Sequence, residues 1–169
     1  KFTGSLPYNI SKKIILKILK FHFSQDKYKV AKMSFIVQEE VAADYASKPP
    51  KASALSNLTR LYADVRKMES IPKSQFFPVP QVNGGILVLE PKDKLPSNIS
   101  ELEQLIKIGY ISPRKTLYNN IKNSRKWQDK DIFAIFKQLN IPEKARPSEI
   151  DLDLWNSLLE LLNSAEFLS

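Results

Sequence analysis

No cysteine occurs among the 169 residues, only one histidine, and only four glycines. Without cysteine there is neither a disulfide framework nor a thiolate zinc site, and a single histidine argues against a histidine-based metal centre or a Ser-His-Asp triad. No metal is expected. The glycines are Gly4, Gly84, Gly85 and Gly109. None stands in a G-x-G turn between a strand and a helix, so no loop here brings backbone amides against a nucleotide-like ligand in the usual way. No apolar run approaches the roughly 20 residues that a spanning helix needs, and lysines scattered through residues 12–32 interrupt any signal-peptide core. A soluble, cytoplasmic, monomeric protein with no membrane partner is expected.

What is present is a 43% hydrophobic composition, ample for a packed core, and a net charge of +8 placed in blocks. Residues 1–33 carry +7 and residues 107–146 carry +7, whereas 34–106 come to −1 and 147–169 to −5. Two basic blocks flanking a neutral middle are the footprint of a polyanion partner, because each neutralised phosphate releases counterions. The candidate nucleic-acid contacts are Lys13, Lys17 and Lys20 in the first block, with Arg114, Lys115, Lys122 and Arg125 in the second.

Hydrophobic periodicity divides the chain into a mixed α/β part at 1–91, a linker at 92–97 with two prolines close by, and a helical part at 98–169. Phe2 to Ser5 reads as the end of a buried strand that Pro7 breaks. A helix then runs from Ser11 to about Phe23, with Ile14, Ile15, Ile18, Leu19 and Phe21 on one face and His22 as a packed side chain. Lys29 to Gln38 predicts an inner parallel strand, being nearly continuous in hydrophobicity. Glu39 and Glu40 open the next helix, where the helix dipole favours carboxylates. A helix from Ala54 to about Asp64 follows, and the strands 65–71 and 85–89 are joined by a loop over Phe76 to Val82. In the helical part, Ser112-Pro113 predicts the cap and first position of a helix carrying Arg114, Lys115, Lys122 and Arg125. The next helix is expected at about 130–139 with Ile132, Phe133, Ile135, Phe136 and Leu139 inward. The last begins near Asp151, with Ile150 and Trp155 placed for a hydrophobic staple.

Chemistry concentrates in Ser5-Leu6-Pro7-Tyr8-Asn9-Ile10. An exocyclic amine conjugated to a purine is a poor nucleophile, and hydrogen bonds from its protons to a side-chain acceptor and a backbone carbonyl localise its lone pair. Ser5 and the Leu6 carbonyl offer such acceptors, Pro7 shapes the turn, and Tyr8 offers a face for an extruded base. The second element is Phe76-Phe77-Pro78-Val79-Pro80-Gln81-Val82-Asn83, a proline-stiffened loop that leads into the apolar run from Ile86 to Leu89.

These two elements, with Val37-Gln38-Glu39-Glu40-Val41-Ala42 and with Arg114-Lys115-Thr116-Leu117, Asn119 and Asn120, resemble the rRNA adenine N6,N6-dimethyltransferases, particularly the small-subunit rRNA dimethyladenosine transferases, over nearly the whole chain. The resemblance implies the C-terminal part of a Rossmann-like methyltransferase sheet followed by a small all-helical subdomain that grips rRNA. It implies dimethylation of N6 of two adjacent adenosines in the 3′-terminal hairpin of small-subunit rRNA, within the immature small ribosomal subunit, with S-adenosyl-L-methionine as co-substrate. Ser5 and the Leu6 carbonyl would orient the amine, Tyr8 and Phe76 would sandwich the ring, and Ser5 would touch the edge of the cofactor cleft, near Gln38 and Glu39. Members of that family carry a glycine-rich cofactor loop ahead of this stretch, so the chain reads as a C-terminal portion lacking most of the cofactor site and inactive alone. It departs from the family pattern at Ser5, where Asn is usual, at Ser53-Ala54 in place of an aromatic-glycine pair, and at Pro147-Ser148 in place of Ala-Glu. Two other readings stand beside this one: a non-catalytic RNA-binding or ribosome-assembly protein, and a large-subunit rRNA adenine methyltransferase of the antibiotic-resistance type.

Overall fold

The computed structural model describes residues 1–7, 11–24 and 30–164. They form β1 (Phe2–Ser5), α1 (Ser11–Phe23), β2 (Met33–Gln38), α2 (Glu39–Ala46), α3 (Ala54–Arg60), β3 (Ala63–Ile71), β4 (Gly84–Pro91), α4 (Ile99–Gly109), α5 (Leu117–Asn123), α6 (Ile132–Gln138) and α7 (Leu152–Asn163). Two compact units result: residues 1–47 with 58–95, and residues 48–57 with 96–169. Residues 48–57, which the hydrophobic pattern grouped with the sheet, therefore cluster with the helices.

The first unit is a mixed α/β layer. Its four strands lie in the order β1-β2-β4-β3, with β1 parallel to β2 and the other pairs antiparallel. β2 is an inner strand, and Met33, Phe35 and Val37 are buried in alternation with half-buried neighbours. β1, expected to be buried, is exposed along all four residues because it is paired on one side only. α2 lies close against β4 because position 85 has no side chain: a Cβ on Gly85 would stand 2.9 Å from the Ala42 Cβ. α3 stops at Arg60 rather than Asp64. Ala63 and Asp64 instead pair with Pro91 and Glu90, which satisfies their backbone in the sheet.

In α1 the buried line is Ile15 and Leu19, and Phe21, expected beside them, is 65% exposed. Two residues beyond Leu19 is a rotation of about 200° around the helix, which turns Phe21 away. The Tyr45 hydroxyl donates to the Lys12 carbonyl at 3.0 Å, and Lys12 pairs with Asp44 at 3.2 Å, tying α1 to α2. His22 is structural: its Nδ1 accepts from the Val30 amide at 3.4 Å, and its ring stands edge-on to Phe23.

The second unit is helical, with Leu105, Ile106, Leu117, Ile121, Trp155 and Leu158 fully buried. Its helix starts follow short-range chemistry. Thr116, Asp131 and Asp151 accept from the amides of Asn119, Ala134 and Leu154, respectively. The expected helix start at Pro113 is corrected. Residues 112–115 form a turn closed by the Lys115 amide on the Ser112 carbonyl at 2.9 Å, and α5 begins only after the Thr116 cap. Phe133, expected inward, is 54% exposed on α6, whereas Ile132, Ile135 and Phe136 face the core. Trp155 packs on Gly109, where a Cβ would meet its Cη2 at 2.3 Å. Ser53 and Ser56 cap the start of α3 reciprocally, each amide donating to the other's hydroxyl at 2.9 and 3.0 Å. The Tyr110 hydroxyl lies 2.9 Å from the Ala52 carbonyl and 3.0 Å from that of Pro147, so it joins 48–57 to the helices, and burial pushes its pKa up. Among the described residues, no helix is long and apolar enough to cross a membrane.

Candidate nucleic-acid site at the strand ends

Strand pairing collects the chemistry of the first unit at one end of the sheet. Ser5, the last residue of β1, pairs with Ile36, and Gln38 and Ile71 both pair with Gly84. The turn after β1, the start of α2 and the loop between β3 and β4 therefore leave the sheet on the same side, outside the carboxyl ends of β1, β2 and β3. Ligands bind at such ends in open α/β sheets. Two strand spacings, about 10 Å, separate β1 from β4.

Ser5 is exposed, and its hydroxyl makes no hydrogen bond to another described residue. The Leu6 amide donates to the Ile36 carbonyl at 3.0 Å, and Pro7 accepts from the Ser11 amide at 3.2 Å, so the chain on either side of the turn is anchored. Tyr8, Asn9 and Ile10 lie outside the described residues.

The loop bearing Phe76 is braced at both ends by a network the sequence did not reveal. Glu39, at the first position of α2, accepts from Lys67 at 2.8 Å, from the Ser70 hydroxyl, and from the Asn83 amide at 3.4 Å. Asn83 Oδ1 in turn accepts from the Lys73 amide at 3.1 Å, and the Asn83 carbonyl accepts from the Glu39 amide at 3.0 Å. Lys67 and Ser70 are three residues apart, which on a regular strand puts them on opposite faces. A bulge in β3 undoes that parity: Lys67 pairs with Leu87 and Ser70 with Gly85, so three steps on β3 match two on β4. Donation from Lys67, Ser70 and Asn83 holds the Glu39 carboxyl at a pKa of about 2. Beside this network lies a groove of about 640 Å³ lined by Glu39, Glu40, Ala43, Lys67, Lys73, Gln81, Val82 and Asn83. The Phe76 ring sits over Gly84, where a Cβ would approach its Cζ to 2.7 Å, while Phe77 is wholly exposed.

The basic residues divide differently. Lys17 is exposed on α1, and Lys20 lies 5.6 Å from the Tyr62 ring centre. Lys13 belongs to α1, but its side chain lies outside the described residues. Arg114 and Lys115 stand exposed on the turn before α5, Lys122 lies within α5 at 5.6 Å from the Tyr118 ring centre, and Arg125 follows the helix in the left-handed region at φ 55°. The neighbouring Asn120 is buried and donates to the Gly109 and Ser112 carbonyls at 2.6 and 3.1 Å, clamping that turn. Among the described residues, no three acidic, histidine or cysteine side chains form a metal-binding group.

Solved structures share this architecture. The 23S rRNA methyltransferase ErmE superposes with a TM-score of 0.72 at 17% identity, over 96% of this chain and 65% of that one. A dimethyladenosine transferase from Plasmodium falciparum superposes with a TM-score of 0.75 at 21% identity, over 99% and 68%. The fold is thus the Rossmann-like fold of the rRNA methyltransferases. The family pattern described as Ribosomal RNA adenine dimethylase matches residues 1–164, and the chain belongs to that family. Its relatives include Ribosomal RNA small subunit methyltransferase A of Francisella tularensis strain SCHU S4 and of subspecies novicida strain U112, each 32% identical over 174 residues. The chain spans 60% of the length of these relatives.

Proposed function

We propose that these residues form the amine-orienting and RNA-gripping part of an S-adenosylmethionine-dependent rRNA adenine dimethyltransferase. Its substrate is N6 of two adjacent adenosines in the 3′-terminal hairpin of small-subunit rRNA, presented on the immature small subunit. The observation that carries this reading is the convergence of the Ser5 turn and the braced Phe76 loop at the same end of the sheet.

On this reading the Ser5 hydroxyl and the Leu6 carbonyl accept from the adenine amine, which localises the nitrogen lone pair and fixes its direction. Phe76 holds one face of the extruded ring and Tyr8 the other. Base stacking on an aromatic side chain contributes about 1–3 kcal/mol. The Glu39, Asn83 and Lys73 network keeps the loop in register, so the ring position is set before the base arrives. As the amine forms its new bond to carbon it becomes acidic and loses its proton to solvent, so positioning and charge complementarity replace a dedicated base. S-adenosyl-L-methionine supplies the electrophilic methyl group when bound. Among the described residues, Ser5 and the open space beside Gly4 would border it without enclosing it. The residues that enclose it belong, on this reading, to a part of the protein other than these 169 residues, which alone are inactive.

The test is methyl transfer from labelled donor by the complete protein to isolated immature small subunits and to large subunits, with nucleoside analysis of the product. N6,N6-Dimethyladenosine confined to small-subunit rRNA is the expected result. Label in large-subunit rRNA, or RNA binding with no methylation, overturns it.

A further inference from the structure

The helical unit has a recess of its own, about 230 Å³, lined by Tyr118, Lys122, Trp127, Gln128, Lys130 and Asp131 among others. Local geometry builds it. α5 places Lys122 one turn after Tyr118, and Arg125 at φ 55° turns the chain back so that residues 126–129 fold as turns beside the helix. Tyr118 is held edge-on by Phe136 at 5.8 Å between ring centres. Trp127 is fixed by its indole N–H donating to Asn163 at 3.2 Å, with the Lys126 ammonium 4.6 Å from the ring centre. The Lys130 ammonium donates to the Ser164 carbonyl.

The charge around the recess favours an anion. Asp131 spends its carboxylate on the Ala134 amide at the start of α6, whereas Lys122 and Lys126 are exposed, Lys126 donating to the exposed Gln104 side chain at 2.6 Å. Gln128 is exposed, and its amide makes no hydrogen bond to another described residue. The volume falls below the range of pockets that enclose drug-sized ligands and suits a single planar ring. An aromatic face, flanking ammonium groups and one free amide are the means by which proteins hold an unstacked base of single-stranded RNA.

We propose that this recess takes one unstacked RNA base, stacked on Tyr118, with Gln128 at its polar edge and Lys122 and Lys126 on the flanking phosphates. On entry the base displaces the Lys122 ammonium from the Tyr118 face. Stacking on the ring outweighs an exposed cation–π contact, and the released ammonium moves to phosphate. The site stands on the geometry of the helical unit and reads binding rather than methyl transfer, so loss of the catalytic reading leaves it intact.

The experiment titrates the full chain with a short single-stranded adenosine-rich RNA and with the same strand fully paired, following anisotropy and tryptophan emission. Trp155 is fully buried, whereas Trp127, although only 6% exposed, lines the recess, so quenching by a bound base reports Trp127. Single-stranded RNA quenches and the duplex does not. Tyr118→Ala weakens single-strand binding about tenfold with an unchanged salt slope, Tyr118→Phe retains it, and Lys122→Gln lowers the salt slope by about one. Equal quenching by both RNAs, or a folded Tyr118→Ala within twofold of the parent, overturns the proposal. The quenching comparison needs no variant, so it stands even if Tyr118→Ala fails to fold.

Discussion

The two units carry their distinctive residues in opposite ways. In the sheet unit, Ser5 is exposed at the end of β1, Phe77 is exposed on the loop before β4 and Phe76 is held over a glycine, so the unusual side chains are the candidate chemistry itself. In the helical unit, the run from Arg114 to Asn120 is mostly carpentry. Thr116 caps, Leu117 fills the core and Asn120 clamps, leaving Arg114, Lys115 and the Tyr118 ring to meet a partner. A run of unusual residues can thus mark a candidate site in one place and the support beneath a surface in another.

The sharpest way to break this contrast is Gly109→Ala. The added methyl has nowhere to go against Trp155, and overpacking of this kind costs about 3 kcal/mol. Urea denaturation followed by tryptophan fluorescence is expected to show the loss. Next comes Phe76→Ala, which on the proposed reading removes one stacking face and is expected to cost about 2 kcal/mol of base binding. Gly84→Ala is expected to lower kcat/KM in the same direction by displacing the ring that Phe76→Ala deletes. If Gly84→Ala leaves kcat/KM unchanged, the ring does not act from its seat over Gly84. Asn120→Ala leaves two carbonyls without their donor and is expected to cost about 1–2 kcal/mol in thermal or urea unfolding. It should also loosen the turn of Arg114 and Lys115, seen as a faster off-rate from RNA.

Smaller effects probe the sheet unit. Because the folded-state pKa of Glu39, about 2, lies below the ordinary 4.5, its ionised form is favoured by folding. Its contribution is complete above pH 4.5 and is lost as pH falls through 2. Glu39→Gln is expected to flatten that part of the acid-unfolding profile. An unchanged slope between pH 4.5 and 2 would remove the network from the account of loop stability. The smallest change is Ser5→Asn, which substitutes a fixed carbonyl acceptor for a hydroxyl and, on the proposed reading, is expected to keep or raise methyl transfer. A large loss in the methyl-transfer assay would show that Ser5 does not accept from the amine.

Much of this architecture was legible in the sequence. The strand and helix order followed from periodicity, the Ser5 turn was found by its polar, proline and aromatic residues, and the Phe76 loop by its prolines together with the family resemblance. What escaped depended on long-range pairing. Lys67 and Ser70 would lie on opposite faces of a regular strand, and nothing local announces the bulge between them that realigns them. Pro113 signalled a helix start because proline suits that position. The Ser112 carbonyl instead closed a turn, and Thr116 offered the better cap. Phe21 and Phe133 were assigned inward on hydrophobicity, although each faces outward from its helix. The recess at Tyr118 was missed because Trp127 reaches it only through the left-handed residue Arg125.

β4 begins with two bare positions in succession, and each admits a different neighbour: Phe76 over Gly84, and α2 at Ala42 over Gly85. Inheritance is constrained accordingly. A descendant that acquires a side chain at 84 must surrender or relocate the ring at 76, and one that acquires a side chain at 85 must push the helix outward at 42. Positions 76 and 84 are therefore expected to change together, whereas position 85 is held by the α2 backbone at Glu39, 3.1 Å from the same Cβ, as well as by Ala42. Lineages that have lost the glycine at 84 should be those whose aromatic loop has been refitted or retired.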